Sequence, residues 1–114
     1  MTKNIYLGLA LAICMGVMSA SVLAEVIPAP VQPEQITTPA TTPVEHKAAA
    51  ELNLKHAQYY LGLAKHHRSV GAVYQSNGQR ILGDRQEAIA VHEDALAKEY
   101  EQTAAEHEKV ANPK

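Results

Sequence analysis

Residues 50–71, AELNLKHAQYYLGLAKHHRSVG, and residues 90–111, AVHEDALAKEYEQTAAEHEKVA, decide the fold. Alanine returns every seven positions in each. The first series is Ala50, Ala57 and Ala64, continued by Gly71; the second is Ala90, Ala97, Ala104 and Ala111. The two stretches are offset by forty residues, and Tyr60 and His67 recur as Tyr100 and His107. A seven-residue repeat holds one residue type on one side of a helix. Small residues on that side let a second helix approach closely. The pattern therefore predicts an all-α fold, an antiparallel two-helix hairpin packed along an alanine seam.

Helix limits follow from the flanking residues. Thr42-Pro43-Val44-Glu45 has the layout of a capping box, with Thr42 as N-cap and Glu45 three residues on. Proline at the first helical position loses no needed hydrogen bond. The first helix is expected over about 43–76, and Asn77-Gly78 supplies its stop. A loop is expected over about 77–83. Asp84-Arg85-Gln86-Glu87 resembles a second capping box, so the second helix is expected over about 84–111, within a hairpin unit of 43–112. In an antiparallel pair, facing residues share a constant index sum. A sum of 161 pairs Ala50 with Ala111, Ala57 with Ala104, Ala64 with Ala97 and Gly71 with Ala90.

Residues 1–24 have the three parts of a secretory signal: Lys3, an apolar run from Ile5 to Val17, and Val22-Leu23-Ala24 before Glu25. The only cysteine, Cys14, lies inside the apolar run and would leave with the signal, so no thiol chemistry is expected of 25–114. Export to a bacterial periplasm or the medium is the expectation. No second apolar run is long enough to span a bilayer once the signal is cleaved. Residues 25–42, with Pro28, Pro30, Pro33 and Pro39 and four threonines, read as a disordered tether.

The charge balance is mild: ten Lys and Arg against twelve Asp and Glu, net −2, or nine against twelve without Lys3. Nothing here is basic enough to suggest nucleic acid. The two halves differ. Pro43–Asn77 carries four basic and two acidic residues, and Asp84–Ala111 three basic and eight acidic ones, so the helices attract each other.

The hairpin has more apolar surface than one partner helix covers. Leu52, Tyr59, Leu63 and Val70 form a second stripe on the first helix, and are expected to be interaction residues. Such a hairpin is small and has no disulfide. Completion by oligomerisation into a bundle is expected, as a homo-oligomer or with an envelope partner.

Six histidines invite a divalent metal as the one possible cofactor. No two of them have the spacing that places two ligands on one helix face. Across the hairpin, the 161 register sets His67 opposite Asp94, with His66 and His92 near that level. These four residues are the candidate metal cluster; the alternative is ordinary polar pairing across the seam. The chain has no phosphate-binding glycine loop, no nucleophile elbow and no pair of carboxylates set in a pocket. The expectation is a non-enzymatic protein that works by association. The rival readings are a periplasmic metal-buffering protein and a membrane-surface or helix-capture module.

Overall fold

The computed structural model describes residues 25–114; the expectations for the signal segment and Cys14 lie outside them. The described residues hold two helices and no strand: α1, Pro43–Ser76, and α2, Arg80–Ala111, packed as an antiparallel hairpin. Neither helix is long and apolar enough to cross a membrane.

The start of α1 is a complete capping box. The Thr42 hydroxyl accepts from the Glu45 amide at 3.2 Å, and the Glu45 carboxylate accepts from the Thr42 amide at 3.1 Å. Glu45 also takes the Thr41 amide and hydroxyl, at 2.7 and 2.8 Å. These hydrogen bonds, led by the Thr41 amide, hold its carboxyl below the ordinary value. The other end of α1 closes through Gly78, the one residue with positive φ (76°) among those described. The Gln79 amide donates to Tyr74 O at 2.9 Å and the Gly78 amide to Gln75 O at 3.1 Å, the paired bonds of a Schellman turn.

That turn is shorter than expected. Only Asn77, Gly78 and Gln79 separate the helices, so α2 begins at Arg80 rather than Asp84. Ile81 and Leu82 belong to its first turn, and the supposed second capping box is not one. Asp84 sits inside the helix and accepts from the Gln75 side chain at 3.0 Å. No side chain caps the α2 N-terminus.

The earlier start extends the seam. Gly83 lies seven residues before Ala90, is buried, and continues the series in α2. The buried apolar residues are Ala50, Ala57, Ala64, Ala90, Ala97 and Ala104, each at most 2 % exposed. Among the described residues, no large side chain is fully buried. At the closed end the backbones nearly touch: a Cβ on Gly71 would lie 3.2 Å from the carbonyl oxygen of Gly83. Glycine suits this approach, since a Cβ would press on that oxygen and, at 3.1 Å, on the Gln86 Cβ.

The register also differs from the single expected value. Cross-helix partners have index sums from 153, for His46 with His107, to 162, for Arg68 with Asp94. A sum of 161 sits near the top of that range. The short turn draws the helices into a staggered arrangement, in which Ala64 sits between Ala90 and Ala97. Ala111 falls past the end of the close contact and is only half-buried.

Candidate functional site

Antiparallel packing puts residues three past each seam position on one flank of the hairpin, and residues four past on the other. The first flank is polar and aromatic. His67 Nδ1 and Glu93 Oε1 lie 2.6 Å apart. Tyr60 and Tyr100 stack at 5.5 Å between ring centroids, and His56 stacks on Tyr100 at 5.0 Å. Desolvation first, then the neighbouring Tyr100 and Tyr59 hydroxyls, raise the Tyr60 phenol above its usual range. At the open end, His46 and His107 share one N–H between Nδ1 atoms 2.8 Å apart. On the second flank, Arg68 binds Asp94 at 2.7 Å and Glu87 at 3.2 Å.

Residues 25–42 are irregular, as their prolines require, yet they do not hang free. They form an arm that runs antiparallel to α1 along its outer face. His66 Nδ1 donates to Ile27 O at 2.5 Å, and the Ile27 amide donates to Ser69 Oγ at 3.0 Å. His56 Nε2 donates to Glu34 O at 2.9 Å. Pro30 rests on Gly62, where a Cβ would lie 2.9 Å from the proline Cγ. The segment expected as a disordered tether lies in this structure as a strap along α1. Prolines hold it extended at little further entropy cost, and helix side chains take up its carbonyls.

The stripe Leu52, Tyr59, Leu63 and Val70 shares its helix face with His56 and His66, and all four residues are half-buried. The arm therefore lies on the face expected to interact. Leu52 lines an open hollow of about 490 Å³ between α1 and residues 34–41 of the arm. A second hollow of about 270 Å³ is bounded by Gln32, Gln35, Ile36, His56, Tyr60 and Tyr100.

Replacing Gly62 with valine tests the strap directly. The branched side chain must displace Pro30, while valine is tolerated on an exposed helical surface. We expect cleavage after Glu34 by a glutamate-specific protease to quicken roughly tenfold with helical content unchanged. An unaltered cleavage rate would mean that Pro30 does not hold the arm.

The four metal candidates do not converge. His66 is turned to the arm, His67 to Glu93 and Asp94 to Arg68, while the exposed His92 sits on the side of α2 away from α1. The expected His67–Asp94 opposition fails because the two lie on opposite flanks: His67 is three past Ala64 and meets Glu93, while Asp94 is four past Ala90 and meets Arg68. Among the described residues, no three His, Cys, Asp or Glu side chains are grouped to hold an ion.

The arm leaves part of α2 bare. Leu82, Ile89, Leu96 and Val110, with Thr103, repeat at seven and stay 41–53 % exposed across the four apolar members. The helix pairing and the arm both leave this row uncovered. No family model, curated protein or solved structure matches the chain.

Proposed function

We propose that this protein is an exported association module, acting through the bare face of α2 rather than by catalysis. The observation that carries the reading is the seven-spaced row Leu82, Ile89, Leu96 and Val110. Single exposed leucines are ordinary, but a row of four on one helix is the form in which helices meet. The hairpin core supports the same view. Built of alanine, it gains little from hydrophobic burial, and a further helix would add the large side chains it lacks. Export rests on the signal-like pattern of residues 1–24. Of the six histidines, His56 and His66 bind the arm, and His46, His67 and His107 pair across the seam, which supports a structural use for those five.

A photo-crosslinking residue placed at Leu96 in cells should give light-dependent adducts. The same residue at Glu101, on the Arg68 flank, should give few. Equal labelling at both positions would remove the α2 face from consideration.

A further inference from the structure

We infer that the occupant of the bare α2 face is a second copy of this chain, docked antiparallel about a two-fold axis at Leu96. The inference rests on the association reading above and names its partner. The row has Leu96 at its centre, with two members on either side. In that pairing, Leu82 meets the partner's Val110 and Ile89 meets the partner's Thr103.

The flanking charges decide the orientation. Within the hairpin, antiparallel packing brings residues three past the seam against each other, as His67 meets Glu93. Residues four past also meet, as Arg68 meets Asp94. The same rule, applied to the α2 row, brings its three-past residues together: Arg85, His92, Glu99 and Glu106, all exposed. Arg85 then faces the partner's Glu106, and His92 faces the partner's Glu99. Two-fold symmetry makes each pair twice. The four-past residues set Gln86 by the partner's His107 and Glu93 by the partner's Tyr100, with no like charges in contact. A parallel pair would instead stack Glu99 on Glu99 and Glu106 on Glu106. Isologous contact of one surface with itself is the commonest form of oligomer. The outer face of α1 does not compete, since the arm occupies it.

Sedimentation velocity over a concentration series, on the full chain with Cys14→Ala, gives the first test. We expect a dimer whose dissociation constant rises about tenfold in Arg85→Glu, where two attractive pairs become repulsive. The swap Arg85→Glu with Glu106→Arg should restore it. In the same background, Leu96→Cys should crosslink to itself with a short bis-maleimide. Ile89→Cys and Thr103→Cys should crosslink only when mixed. A monomer at all concentrations, a dimer indifferent to Arg85→Glu, or self-crosslinking of Ile89→Cys would overturn the inference. A monomer whose Leu96 still crosslinks selectively in cells would overturn it and leave the association reading standing.

Discussion

Replacing Ala64 with leucine should lower the melting temperature by roughly 10–20 °C. Ala64 is 1 % exposed and sits between Ala90 and Ala97. Leucine has nearly the helix propensity of alanine, so α1 itself loses nothing. Its three extra carbons, however, have no space at a seam lined by methyl groups. Overpacking a tight core costs typically about 1–3 kcal/mol, and here the two helices must part to relieve it. A chain of this size has about 5–10 kcal/mol in total, and each kilocalorie moves the midpoint by several degrees. Ala95→Leu is the control: Ala95 is exposed on α2, and its replacement should shift the midpoint by no more than a few degrees. Thermal unfolding followed by circular dichroism reads both. If Ala64→Leu melts with the wild type, the seam is not close-packed.

The parts of this architecture written in residue type were legible; the parts made by backbone groups were not. Alanine at seven-residue spacing announces the seam, because only side-chain size decides how near two helices come. Thr42 and Glu45 announce the start of α1, because their side chains perform the capping. The second supposed cap misled because Asp84 and Glu87 have the right spacing on any exposed helical face. The decisive signal was Gly83, which extends the alanine series by one more repeat. A series of small residues, rather than of alanines, would have brought α2 forward and shortened the turn. His67 meets Glu93 instead of Asp94 because both stand three past a seam residue, whereas Asp94 stands four past and belongs to the other flank.

Docking of the arm was hidden for a different reason. Its anchors, Ile27 O and Glu34 O, are main-chain acceptors that any residue would present. Composition says only that residues 25–42 cannot form a helix or a sheet, which is true of a strap and of a loose tether alike. The trace that could have been read is on α1. His56 and His66 stand on the same face as Leu52, Tyr59, Leu63 and Val70, so donors accompany an apolar stripe. A face of that make-up suits an extended peptide, whose carbonyls need donors and whose side chains need apolar ground.

The pair His67–Glu93 should respond unequally to loss of its two members. Glu93 is 7 % exposed, whereas a quarter of the His67 side chain is reached by solvent. His67→Ala removes the one side-chain donor within 2.6 Å of Glu93 Oε1 and leaves a nearly buried carboxyl group without it. An unsatisfied buried polar group costs about 1–3 kcal/mol, and a charged one lies toward the upper end. The partial exposure of the pair argues for about 2 kcal/mol here. Glu93→Leu, by contrast, leaves an imidazole that can turn to water, and its apolar replacement suits the buried position. That variant should lose less than about 1 kcal/mol. The double change His67→Leu with Glu93→Leu removes both polar groups and should fall within about 1 kcal/mol of the wild type, because a buried pair replaced whole is often neutral. Urea unfolding of the four proteins gives the ordering. A larger loss for Glu93→Leu than for His67→Ala would show that the carboxyl group holds the helices by some contact other than His67.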